Sequence, residues 1–240
     1  MSEPLLILSG ATTGLPRGSY KPRLLEAAAV LLVPGGAGGL TVGGPANGRW
    51  SSLIYQPPAI LGATEAQPAK RIHGIKDHEI LAAPSEHAAA EAFGVWLADV
   101  RAKLASINMP LRTWHVWSTS FWLPYFDQPP WNKHPNAPLW PLSLGLDAME
   151  WSSGALVTLK CNTKTKAGHP RKMGLKRAFG GFQRATPGLD WNLGGAGGRA
   201  LPQACRVAQM VVLSAQVELP APPTPKADAF YAFDPYGGGY

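Results

Sequence analysis

The chain has 240 residues, enough for one substantial domain with a full hydrophobic core. Its 27 glycines and 24 prolines predict many loops, while 45% hydrophobic residues argue against wholesale disorder. A formal charge of +7 suits an anionic partner, and the lack of any run of about 18 apolar residues excludes a membrane-spanning helix.

Leu5–Leu8 reads as a short buried strand, and Leu24–Val33 as a second, ended by a glycine-rich turn. Residues 49–58 suggest a third strand, stopped at Pro57. Residues 84–105 give the clearest helix: Ser85 can cap it, and Phe93, Trp96, Leu97, Val100 and Leu104 recur at helical spacing. Leu111–Trp117 returns as a strand. Residues 199–215 form a final helix with Leu201, Ala204, Ala208, Val211 and Val212 on one face. Strands followed by alternating helices predict an α/β fold of three layers, a mixed central sheet with flanking helices. The N-terminal residues carry no signal segment, and Cys161 and Cys205, without Cys-x-x-Cys spacing, suggest reduced thiols in a cytoplasmic compartment.

Charge is unevenly distributed. Between Glu150 and Asp190 there is no acid, yet Lys160, Lys164, Lys166, Arg171, Lys172, Lys176, Arg177 and Arg184 fall there, with His169 among them. These are candidate nucleic-acid contacts. Residues 1–215 form the domain, and 216–240 a proline- and aromatic-rich tail. Phe230, Tyr231, Phe233, Tyr236 and Tyr240 in that tail are candidate anchors for a protein partner or another copy of the chain.

Four phrases carry a resemblance. Ser9-Gly10-Ala11-Thr12-Thr13-Gly14-Leu15 is similar to Asp-x-Glu-Thr-Thr-Gly-Leu, and Ile72–Pro84 to an Ile-His-Gly-Ile phrase followed by Ala-Pro. Ser118–Phe126 is similar to Asn-x-x-Phe-Asp-x-x-Phe-Leu, and Gly198–Ala204 to His-Arg-Ala-Leu-x-Asp-Ala. In this order they resemble the DEDD 3′–5′ exonuclease family of the DEDDh, proofreading-like type, which implies an RNase H-like fold. The family uses four acids to bind two divalent metals and a histidine to activate water. By that resemblance Ser9 and Ala11 replace the first two acids, Trp122 the third, Gly198 the histidine and Gln203 the last acid.

Loss of all five positions predicts a protein that is not an enzyme, a pseudoenzyme with no catalytic residue, no metal and no cofactor. Trp122 is expected to fill the vacated space, and Glu26 to approach it from the second strand as a lone carboxylate. Asp127, Asp147, Glu150 and Asp190 stand outside the motifs. Trp114, Trp117, Trp131 and Trp140 either stack on bases or pack internally. His73, Asp77 and His78 read as a polar turn rather than a metal cluster, and Leu193–Gly198 as a loop rather than a phosphate cradle. The first functional expectation is a protein-assembly module, similar to versions in bacteriophage genomes and carried in the cytoplasm or a phage particle. The second is a non-catalytic nucleic-acid binder using residues 160–184, and the third a nuclease with unorthodox residues. No membrane partner is expected.

Overall fold

The run Leu5–Leu8 opens β1 (Leu5–Thr12), which is buried along almost its whole length. Apolar side chains on successive positions suit a strand covered on both faces. β2 (Leu24–Pro34) runs antiparallel to it, from Leu5 opposite Leu32 to Ala11 opposite Glu26, with a bulge between Ala11 and Thr12. These elements belong to a computed structural model that describes residues 3–16, 20–35, 40–43, 45–111, 113–126, 129–133, 146–162, 165–166, 168–187 and 199–216.

β3 (Leu40–Val42) and β4 (Arg49–Leu53) both pair antiparallel with β2. β4 is shorter than the sequence suggests. The Ile54 amide still donates to the Leu25 carbonyl of β2 at 2.9 Å, but the Tyr55 amide turns to the Pro84 carbonyl at 2.8 Å. Three short helices follow, α1 (Pro58–Leu61), α2 (Gln67–His73) and α3 (Asp77–Leu81). The long α4 (Glu86–Ser106) starts where expected, with the Ser85 side chain accepting from the Ala88 amide.

β5 (Thr113–Val116) lies parallel to β1, with Ile7 opposite His115. α5 (Thr119–Phe126) leads toward β6 (Leu146–Asp147), which extends the sheet parallel to β5. α6 (Ala148–Thr158), α7 (Leu175–Ala185) and α8 (Ala200–Gln216) complete the described chain. Among the described residues, no helix is long and apolar enough to cross a membrane.

The sheet order is β3-β2-β1-β5-β6, with β4 also on β2, and parallel and antiparallel pairs make it mixed. Leu5, Ile7, Ala28, Val30 and Leu32 pack under α6, α7 and α8. Leu6, Leu8, Ala27, Ala29 and Leu31 face the other way, toward Phe93, Leu97, Val100 and Leu104 of α4 and the aromatic residues of α5. Each large apolar side chain so buried stabilises the fold by about 1.5–3 kcal/mol relative to exposure. The fold is therefore the three-layer α/β arrangement with a mixed central sheet.

Candidate functional site

The end of β1 holds two of the positions singled out by the exonuclease-like phrases. Alternate residues of a strand share a face, so Ser9 and Ala11 both turn to the α8 side. Ser9 is buried opposite Ala28, and Ala11 is buried opposite Glu26. The Thr-Thr-Gly that follows closes the turn. Thr12 Oγ1 donates to the Gly14 carbonyl at 2.8 Å, and Thr13 Oγ1 accepts from Tyr20 Oη and the Arg23 amide. Gly14 has φ +152°, and a Cβ there would sit 3.0 Å from the Glu65 carbonyl oxygen. Only glycine takes that backbone without strain.

Glu26 brings a carboxylate to the same face from the neighbouring strand. Its Oε2 accepts the Ala200 amide hydrogen bond at 2.7 Å, at the start of α8, and Oε1 lies 3.7 Å from Arg199 Nε. Arg199 Nη1 in turn donates to Glu79 Oε1 at 3.2 Å. Burial pushes the Glu26 carboxyl above its usual range, while the Ala200 amide and Arg199 pull the other way. Glu79 is held below its usual range, first by the Lys76 amide, which donates to Oε2 at 2.8 Å. β2, α3 and α8 are thus tied by one network of alternating charges. Sequence reasoning placed Glu26 near the site but missed Arg199 and Glu79 as its companions. The one available signal was a single acid inside an otherwise apolar strand.

Trp122 departs from expectation. It is buried, but its ring lies against Gly10 on the α4 side of the sheet, among Leu8, Leu24 and Phe126. Gly10 faces opposite to Ser9 and Ala11, so the ring fills the space over the glycine, not the space beside those two residues. Trp114, Trp117 and Trp131 are also buried and pack internally. Gln203 is half-buried in the first turn of α8. Gly198, Leu193–Gly198 as a whole, Asp127, Trp140, Lys164, Asp190 and the tail with Phe230, Tyr231, Phe233, Tyr236 and Tyr240 lie outside the described residues.

His73 Nδ1 accepts from the Ile75 amide at 3.0 Å, Asp77 pairs with Lys70 at 2.7 Å, and His78 is exposed. These contacts suit the polar turn. Asp147 caps α6 by accepting from the Met149 amide. Among the described residues, no three His, Cys, Asp or Glu side chains are grouped to hold a metal ion.

The basic segment becomes an outer layer. α7 buries Ala178, Gly181 and Phe182 against α6 and α8, and Arg206 of α8 sits over the Phe179 ring at 5.3 Å. Lys160, Lys166, Arg171, Lys172, Lys176, Arg177 and Arg184 are all exposed. α7 packs outside α6 and α8, on the sheet face of Leu5, Ile7, Ala28 and Val30. On α7, Arg177 and Arg184 are seven residues apart, which places them on one face about 10 Å apart along the axis.

Sheet order and flanking helices match an exonuclease-type, RNase H-like fold. Solved structures that share it include three nucleases. The cell-death related nuclease 4 (CRN-4) is 13% identical with a TM-score of 0.58, over 90% of this chain and 64% of that one. The nuclease domain of 3′hExo, a DEDDh family member bound to rAMP, is 11% identical with a TM-score of 0.57, over 91% and 96%. E. coli Exonuclease I in complex with a dT13 oligonucleotide is 14% identical with a TM-score of 0.50, over 90% and 41%. This chain therefore spans less than two thirds of CRN-4 and of Exonuclease I. No family model and no curated protein matches the sequence.

These similarities correct the expectation that the chain is not an enzyme. The structures that share its fold are nucleases, and changed side chains at the family positions do not in themselves demonstrate lost chemistry. The donor set at those positions is a separate matter. Ser9, Ala11, Trp122 and Gln203 offer one hydroxyl and one amide oxygen but no carboxylate, and Glu26 is already engaged by Ala200 and Arg199. Hard dications take carboxylate oxygens, so the family's pair of metals does not fit these residues.

Proposed function

We propose that the chain is a nucleic-acid-binding protein built on an exonuclease-type fold, engaging the phosphate backbone through the cationic layer of residues 160–184. The observation that carries this reading is the exposure of Lys160, Lys166, Arg171, Lys172, Lys176, Arg177 and Arg184 in a stretch without acids. Positive side chains of this kind bind phosphates without reading sequence, and bound strands release counterions. Solved structures of the same fold include one in complex with a dT13 oligonucleotide and one described as recognising a histone mRNA stem-loop. Assembly through the tail, placed first from sequence, and with it any virion role, rests on residues outside the described ones. The cationic layer is therefore the better-supported feature.

Titration of a fluorescent single-stranded oligonucleotide tests this. Four phosphate contacts would give a log–log salt slope of about −3, hence about a 50-fold loss of affinity between about 50 and 200 mM salt. The combined K176Q/R177Q/R184Q variant should bind more weakly and flatten the slope by about 2. Undiminished binding in that variant, or no binding at low salt, would overturn the reading. The same oligonucleotide, end-labelled and incubated with Mg²⁺ or Mn²⁺, reads cleavage separately from binding.

A further inference from the structure

β4 carries an open edge of the sheet. β3 pairs with residues 32–34 of β2 and β4 with residues 26–30, so both short strands lie on one side of β2, and among the described residues no strand lies beyond β4. The Ile54 amide donates to the Leu25 carbonyl, and backbone groups alternate inward and outward along an antiparallel strand. Trp50 and Ser52 therefore bond to β2, whereas the amides and carbonyls of Arg49, Ser51 and Leu53 point away from it. Among the described residues only the Ser52 hydroxyl meets these outward groups, donating to the Leu53 carbonyl at 2.8 Å. The next outward amide, that of Tyr55, is already held by the Pro84 carbonyl. At the other end Gly48, with φ +60°, turns the chain away. Strand edges are commonly guarded by lysine, proline or a bulge. β4 has no lysine or proline and an unbroken register on β2, and its Arg49 and Ser51 are exposed.

We propose that this edge pairs with itself: two copies of the chain join β4 to β4 antiparallel about Ser51, and one sheet runs through both. The register argues for a second copy rather than a foreign strand. The outward residues are spaced evenly about Ser51, so Ser51 faces its own counterpart, and Arg49 faces Leu53 at each end. Each facing pair exchanges an amide and a carbonyl in both directions. The strand's one charge then meets an apolar side chain, and the two arginines stand four residues apart along the edge, about 14 Å. Slippage one way draws the arginines together, and slippage the other way runs into Tyr55, whose amide is taken. The two-fold axis is normal to the sheet, so the α6–α8 layers of both copies lie on the same side of it. The pairing rests on backbone groups of β4, so it stands whether or not the cationic layer binds nucleic acid.

Analytical ultracentrifugation of the full chain, without nucleic acid, measures the association. The unaltered chain should form dimers. S51P removes an outward amide and no bond to β2, and it should weaken association at least about tenfold. Should S51P fail to fold, S51K decides: it sets two like charges opposite each other and should weaken association in the same direction. Mild oxidation reads the register. In S51C the two thiols lie opposite, within disulfide reach, whereas in R49C they are about 14 Å apart. S51C should therefore cross-link two chains, and R49C should not exceed the background set by Cys161 and Cys205 in the unaltered chain. A monomeric unaltered chain, association unchanged in the folded variants, or R49C cross-linking as readily as S51C would overturn the proposal.

Discussion

Gly10 offers a direct test of where Trp122 lies. A Cβ built there meets Trp122 Cζ3 at 2.7 Å and Cη2 at 2.9 Å, and a Leu24 δ-carbon at 2.9 Å. Favourable carbon contacts need about 3.5–4.0 Å, so something must retreat by close to an ångström. The leucine methyl can rotate away. The indole cannot, because Phe121, Tyr125 and Phe126 hold it with ring centroids 4.8, 5.8 and 5.8 Å away. Gly10→Ala should therefore destabilise by about 1–3 kcal/mol, the usual cost of an overpacked core. Trp122→Leu removes the obstructing ring at its own cost. In that background, Gly10→Ala should cost under about 0.5 kcal/mol, since alanine is otherwise the better strand residue. Urea denaturation of the four chains completes the cycle. Equal costs in both backgrounds would place the ring elsewhere and refute the account of the site.

Other consequences follow from burial and capping. Burial lowers the His115 pKa from 6.5 to about 4, so the unfolded chain takes up a proton that the folded one resists as pH falls. About 3 kcal/mol should be lost between pH 6.5 and 4, measurable as a stability slope that His115→Leu abolishes; an identical slope would contradict it. Glu26 has the opposite sign: its raised pKa favours the fold below pH 4.5 and disfavours it as pH rises through the folded value. E26Q should gain stability relative to the unaltered chain over that rise, and a constant difference would count against it. Ser85→Ala removes the acceptor of the Ala88 amide and should lower stability by about 1 kcal/mol, whereas Ser85→Asp should not.

What was legible in the sequence was what local pattern determines. The runs Leu5–Leu8 and Ala27–Leu32 are apolar and covered by helices on both faces, and α4 carries its cap and its stripe within one segment. β6 has two residues and depends on β5 for its existence, so no run of sequence could announce it. α7 shows in sequence only as a basic segment, because its cations mask the Ala178, Gly181 and Phe182 stripe. Trp122 shows a different limit. Which side of the sheet its ring takes depends on how α5 docks, and residue spacing does not encode that. The link from Glu26 to Ala200 spans 174 positions, beyond any local rule.

Glu26 also explains how the edge of β1 changes character without changing fold. Ala11 and Glu26 are cross-strand partners on one face, so the carboxylate at this edge comes from β2 rather than β1. The shift is small in space but large in chemistry. From β2 the carboxylate meets α8 end-on, where the free amide of Ala200 and the Arg199 guanidinium give it a positive environment supplied by the protein. A two-metal site instead keeps its carboxylates available to dications, and the dications draw the phosphate. With Glu26 bound inward, the positive charge at this edge comes from Arg199, and beyond it from the exposed lysines and arginines outside α8. On the proposed function, phosphate binding by those exposed cations should fall with salt. Arg199 is half-buried and tied to Glu26 and Glu79, so that salt dependence comes from the exposed outer cations.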